Sequence, residues 1–167
     1  MPKSAGSSAG EGDFTLALTV EAGDWGERRR LRQLAKRAIR TAFAETGAAP
    51  RGAEVSLVLT DDAHMRTLNA AWRGKDKPTN VLSFPAIQLK PGQPLPPMLG
   101  DIVVAHETLA REATLENKPL DHHLIHLIVH GLLHLMGYDH EVDAEAEEME
   151  GLESRALARL AIPDPHG

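Results

Sequence analysis

Cysteine is absent from the 167 residues, which excludes disulfides and every metal site built on thiolates. Its absence names no compartment, because a histidine site needs no reducing environment. No run of about 18 apolar residues occurs, so no membrane-spanning helix is expected. The opening stretch MPKSAGSSAGEGD also lacks the hydrophobic segment of a signal peptide. A soluble, non-exported protein follows as the expectation, with the cytoplasm as its location and no membrane partner. No repeat is visible at a solenoid period. Basic residues are scarce in one half only: residues 91–167 hold 4 Lys/Arg against 14 Asp/Glu, whereas residues 1–90 hold 14 against 10. The net charge of −6 conceals that division.

With 42% hydrophobic residues, a chain of this length can bury about two-thirds of its unfolded surface, enough for one core. The basic residues fall into two groups. Arg28, Arg29, Arg30, Arg32, Lys36, Arg37 and Arg40 lie on one segment, and Arg73, Lys75 and Lys77 on a short loop. Either group could hold an anionic polymer. The first could equally be a solvated helix face that pairs with acidic residues of the second half.

Residues 1–12 are rich in Gly, Ser and Ala without periodicity, and read as a disordered tail. In FTLALTV, Phe14, Leu16, Leu18 and Val20 alternate with smaller residues, as in a half-buried strand. From 24 to 45 the period becomes helical, with Leu31, Leu34, Ala35, Ala38, Ala42 and Phe43 on one stripe. Residues 53–60 form a second strand, and Asp61 caps a helix through Met65, Leu68 and Trp72. Short strands are expected at 81–84 and 101–106, separated by the Pro/Gly-rich stretch KPGQPLPPMLG, which reads as a surface loop. Helices at 106–116, 119–136 and 141–160 complete the chain, leaving 161–167 as a tail. This order predicts an α+β domain over 13–160, with a small mixed four-stranded sheet and about five helices. The helix between the first two strands favours a parallel, right-handed crossover.

The chemistry is concentrated in HLIVHGLLHLMGYDHE, residues 126–141. Residues four apart on a helix face the same way, so His130 and His134 present two imidazoles to one point. His126 extends that row, but it lies eight residues from His134, about 12 Å along the axis, too far to share one ion with it comfortably. Gly137 accepts the left-handed backbone that ends a helix, and His140, three residues on, can turn back as the third ligand. Three protein ligands with one open position are the arrangement of catalytic zinc. One Zn²⁺ held by His130, His134 and His140 is therefore the expected cofactor, although the same ligands would accept Ni²⁺, Co²⁺ or Fe²⁺.

The ligand spacing is similar to that of the metzincin peptidases, whose motif is H-E-x-x-H-x-x-G-x-x-H. The glutamate that serves those enzymes as general base is replaced here by Gly131. Either the metal lowers the pKa of its water unaided or another carboxylate acts. Asp139 and Glu141 are the nearby candidates, and Asp139 could instead orient a ligand histidine.

The segment HGLLHLMGYDH closely resembles the signature of the YbeY family of bacterial endoribonucleases. NAAWRGKDKPTNVLSFP at 69–85, GDIVVA at 100–105 and EAEEMEGLE at 145–153 resemble further segments of that family, and the likeness runs from about Phe14 to Leu160. His106 and the first 12 residues depart from its pattern. The resemblance implies a zincin-like fold, a metal on His130, His134 and His140, and a functional role for Arg73. It also implies cleavage of single-stranded RNA, in maturation of the 3′ end of 16S ribosomal RNA and in ribosome quality control. Ribosomal RNA and small-subunit particles would be the partners, with ribosomal proteins or a GTPase as further ones. Arg73 could clamp phosphate oxygens bidentately, unless it merely pairs with Asp76. Lys75, Lys77, Arg29 and Arg30 would bind substrate phosphates. Two other functions fit the residues less fully: a ribosome-assembly binding protein with a structural zinc, and a peptidase.

The other histidines carry less weight. His64, His106, His122, His123 and His166 have no spacing partner and read as surface or hydrogen-bonded residues. His126 could orient a group behind the site or simply pack. The acidic run Glu145, Glu147, Glu148, Glu150 and Glu153 reads as a solvated helix face that repels RNA.

Overall fold

The computed structural model describes residues 13–77 and 79–166. The tail expected at 1–12 lies outside the described residues. Nine elements follow in order: β1 (Thr15–Val20), α1 (Arg28–Thr46), β2 (Glu54–Thr60), α2 (Asp62–Arg73), β3 (Val81–Pro85), β4 (Met98–Ala105), α3 (His106–Leu115), α4 (Leu120–Leu135) and α5 (Asp143–Arg159). This is the α+β arrangement read from the sequence, with four strands and five helices among the described residues.

The sheet order is β1-β2-β4-β3. β1 pairs parallel to β2 and β2 to β4, whereas β3 runs antiparallel to β4 and forms an edge. The parallel β1–α1–β2 crossover is the one expected from the helix between two alternating strands. Alternation decides the two faces of the sheet. Leu16, Leu18, Val55, Leu57, Leu59, Ile102 and Val104 join the main core with α1, α3, α4 and α5, and Val103, Ala105 and Leu82 form a smaller core with Met65 of α2.

β4 begins at Met98, three residues before the expected strand, so the proline-rich loop is shorter than its composition suggests. Gly100 explains the difference. A Cβ there would lie 2.5 Å from the Phe84 carbonyl oxygen and 2.8 Å from Leu135 Cδ2, so this glycine serves close packing of β3 and α4 on β4 rather than a turn. His106, read both as the end of that strand and as the start of the next helix, opens α3 and packs edge-on against Trp25 at 4.9 Å.

α4 lies at the centre. Leu124, Ile125, Ile128, Val129, Leu132, Leu133 and Leu135 are all buried, and the helix packs on β3, β4, α1, α3 and α5. A helix apolar on nearly every side is stable only when enclosed. That enclosure holds its last turn, where the ligand histidines sit, in a fixed position against edge strand β3. Beyond α5, residues read as a tail send Ile162 into the core and His166 onto Glu153.

Candidate metal centre

His130 and His134, one turn apart on α4, bring their Nε2 atoms to 3.1 Å of each other. Two glycine-dependent features then return the chain. The Gly137 N–H donates to the His134 carbonyl and the Tyr138 N–H to that of Leu133, which closes the helix with paired end bonds. Gly137 itself has φ of 101°, and a Cβ on it would lie 2.4 Å from the Leu89 carbonyl oxygen. Only glycine meets both conditions. Asp139 then accepts the His140 N–H at 2.7 Å, and the His140 ring centroid comes to 5.2 Å from that of His134 and 5.8 Å from that of His130. One ligand nitrogen from each of the three histidines lies within 4.8 Å of the others, so the group expected from spacing is assembled and could hold a metal ion.

The electronic arrangement suits an ion. His130 Nδ1 pairs with the Glu153 carboxylate. A carboxylate can only accept there, so Nδ1 carries the proton and the lone pair lies on Nε2, towards His134. Burial, followed by the electrostatic influence of the adjoining His130 and His140 rings, lowers the His134 pKa to about 4. Its imidazole is therefore neutral, as a ligand must be. Burial of Glu153 raises its pKa, but hydrogen bonds from His126 and His130, the electrostatic pull of the His130 ring and a hydrogen bond from His166 outweigh this and hold it far below the usual carboxylate range.

Glu153 corrects the reading of the acidic run as a solvated face, because its side chain is only 2% exposed. On α5 it shares a stripe with Met149, Leu152, Ala156 and Leu157, all buried. A carboxylate on an apolar stripe requires a partner, and that signal was present in the sequence. Asp139 contacts the His140 backbone and not a ligand imidazole.

The histidines open onto a cleft of about 800 Å³, also lined by Arg73, Lys75, Lys77, Asn80, Asp139 and Glu141. Arg73 belongs to the last turn of α2 rather than to a loop. Asp76 does not pair with it: both Asp76 carboxylate oxygens accept from Arg66, at 2.8 and 3.1 Å. Among the described residues Arg73 has no ion-pair partner. Asn69, unnoticed in the sequence, is buried and donates to the Lys77 carbonyl at 2.8 Å while its own carbonyl accepts the Lys75 N–H. It thereby secures the basic segment to α2. Trp72 is 70% exposed beside that segment and meets Phe84 edge-on at 5.9 Å.

Arg29 and Arg30 are not brought to the cleft. Arg30 donates to Asp121 at 2.6 Å, in the first turn of α4. Asp121 lies 13 positions before His134, about 20 Å along the helix. Of the same group, Arg28 donates to the Leu18 carbonyl, Arg32 to that of Leu16, and Arg40 to Asp13.

Gly131, at the position of a peptidase glutamate, faces the sheet. A Cβ there would lie 2.8 Å from Ile102 Cγ2 and 3.2 Å from Ser83 Oγ, and Ser83 donates to the Gly131 carbonyl at 3.0 Å. The position therefore lacks a carboxylate and has no room for one. Of the histidines set aside earlier, His123 is buried on Glu112 at 2.8 Å and His64 pairs with Asp61 at 2.7 Å.

Known proteins resemble this chain over most of its length. The Endoribonuclease YbeY family profile matches residues 20–161. The chain is 55% identical over 158 residues to an Endoribonuclease YbeY of Rhizobium meliloti, covering 91% of this chain and 94% of the relative. It is 54% identical over 157 residues to one from Bradyrhizobium sp., covering 91% and 92%. A solution structure from Thermotoga maritima shares the fold with a TM-score of 0.55 at 23% identity, covering 86% of this chain and 91% of the other. With the family profile running from the end of β1 through β2, β3, β4, His130, His134, His140 and Glu153, this chain belongs to the Endoribonuclease YbeY family.

Proposed function

We propose that this protein is a metal-dependent endoribonuclease that cleaves single-stranded RNA, with residues 13–160 as one catalytic domain. Its substrate is the 3′ region of 16S ribosomal RNA in small-subunit particles, where it serves maturation and quality control. Family membership supports the reaction class. The observation that carries the chemistry is the opening of three histidines and three basic side chains, Arg73, Lys75 and Lys77, onto one cleft.

A phosphodiester entering that cleft meets two kinds of charge. His130, His134 and His140 would hold a Zn²⁺, which when bound polarises a phosphate oxygen and lowers the pKa of water. Arg73 is free to donate two parallel hydrogen bonds to the phosphate and to stabilise the charge that grows as the bond to the leaving oxygen breaks. Lys75 and Lys77 neutralise flanking phosphates. Asp139, within the same cleft, fixes His140 through its backbone and would hold a proton near the scissile bond. Trp72 offers a stacking surface to an unpaired base next to Arg73, which favours single strands over duplex.

Cytoplasmic ribosomal proteins or a GTPase would present the RNA. No helix among the described residues is long and apolar enough to cross a membrane.

The test is cleavage of a labelled single-stranded RNA by zinc-loaded wild type, chelated wild type and His134→Ala. Cleavage is expected only from the first. Equal rates from His134→Ala would overturn the proposal, and zinc-dependent hydrolysis of an unfolded protein would return the site to the peptidases.

A further inference from the structure

Behind the ligand histidines lies a second convergence that the cleavage site does not use. His126 Nε2 lies 3.3 Å from Glu153 Oε1, and His166 Nε2 lies 2.7 Å from the same oxygen. The His126 and His166 rings meet at 5.8 Å with planes 86° apart. The spacing resembles that within the ligand trio, whose centroids are 4.6 to 5.8 Å apart. One ligand atom from each of His126, Glu153 and His166 lies within 4.8 Å of the others.

We propose that His126, Glu153 and His166 form a second divalent-cation site, which shares Glu153 with the metal centre.

Four features carry this. The donor set of two imidazoles and one carboxylate is one that zinc accepts in enzymes, with a position left for water. Glu153 is 2% exposed, so its carboxylate is held in place by packing and not by chance on a mobile surface. The group lines a cavity of about 460 Å³ that also reaches His130 and His140 and supplies a route for an ion. Glu112, Glu116, Glu150 and Glu153 line that cavity against one cation, Lys118, so its field attracts a divalent ion.

The two oxygens of Glu153 divide the work. Oε2 holds the proton-bearing Nδ1 of His130, and Oε1 faces His126 and His166. A cation on Oε1 withdraws charge from the carboxylate that makes His130 a good ligand, and it repels an ion on the three histidines. Filling the second site therefore loosens the first ion, and by linkage the first ion weakens the second by the same factor. Zinc in excess would then slow the enzyme.

The test is equilibrium dialysis of the full chain against zinc chloride, with elemental analysis and thermal unfolding on the same samples. Wild type should saturate at two ions per chain. His166→Ala, which alters an exposed side chain late in the sequence, should keep the fold and bind one ion, and His126→Ala should do the same. His134→Ala should lose the ion on the three histidines and keep the other. His122→Ala should keep both. One ion in wild type at saturating zinc, or two in both His166→Ala and His126→Ala, overturns the proposal. A His134→Ala protein with the wild-type stoichiometry would instead count against the metal centre alone.

Discussion

Two groups of basic residues look alike in the sequence, and the larger one is the less informative. α1 carries seven, and four of these are engaged: Arg28 and Arg32 on carbonyls of β1, Arg40 on Asp13 and Arg30 on Asp121. The segment from Arg73 to Lys77 carries three, and all three line the cleft that holds the ligand histidines. Charge density therefore points away from the histidine cleft. Position relative to the last turn of α4 selects the smaller group.

The difference can be broken most directly at Arg73. Arg73→Ala should lower single-turnover cleavage at saturating RNA by about 10²–10³-fold, the usual loss when one oriented donor to a developing charge is removed. Arg73→Lys should fall between, since a point charge cannot make paired bonds. Both variants should bind zinc as wild type does, because Arg73 is no ligand. A saturated rate equal to wild type would remove Arg73 from the chemistry.

Trp72→Ala is expected to weaken binding of single-stranded RNA by about 1–3 kcal/mol, with a smaller effect on duplex RNA. Titration of both forms checks this, and equal losses would assign Trp72 to packing on Phe84 instead. Replacing Lys75 and Lys77 by alanine should cost several-fold in affinity. It should also flatten the plot of log affinity against log salt by about 0.7 per lysine. An unchanged slope would mean that neither touches phosphate.

The smallest effects belong to α1. The side chains of the Arg30–Asp121 pair are 47% and 42% exposed, so Arg30→Ala should destabilise the fold by no more than about 1 kcal/mol, read from thermal unfolding. It and Arg29→Ala should leave RNA affinity within about twofold of wild type, since one neutralised phosphate contributes little where no phosphate is held. A large loss of affinity would show that RNA extends over α1 and erase the contrast.

The metal centre was legible because its parts are close in sequence. His130, His134, Gly137 and His140 span 11 residues, and helix periodicity with one left-handed glycine is enough to bring them together. Sheet order beyond the first crossover was not legible. Nor was the early start of β4, where Gly100 reads as a turn residue until Phe84 and Leu135 are seen against it. Glu153 lay hidden in a different way: one acidic residue among five differs from its neighbours only by standing on the buried stripe of α5.

From the sequence alone came the convergence of His130, His134 and His140, the missing glutamate at residue 131, and the alternation of strands and helices. Each is set by backbone periodicity or by the chemistry of a single side chain. Tertiary structure alone decided that Glu153 orients His130 from 23 positions away, that Gly131 faces Ile102, and that Asp76 leaves Arg73 free for the cleft. Those contacts join elements far apart in the chain. Their distances depend on how α4 and α5 pack on the sheet, and no local pattern of residues specifies that packing.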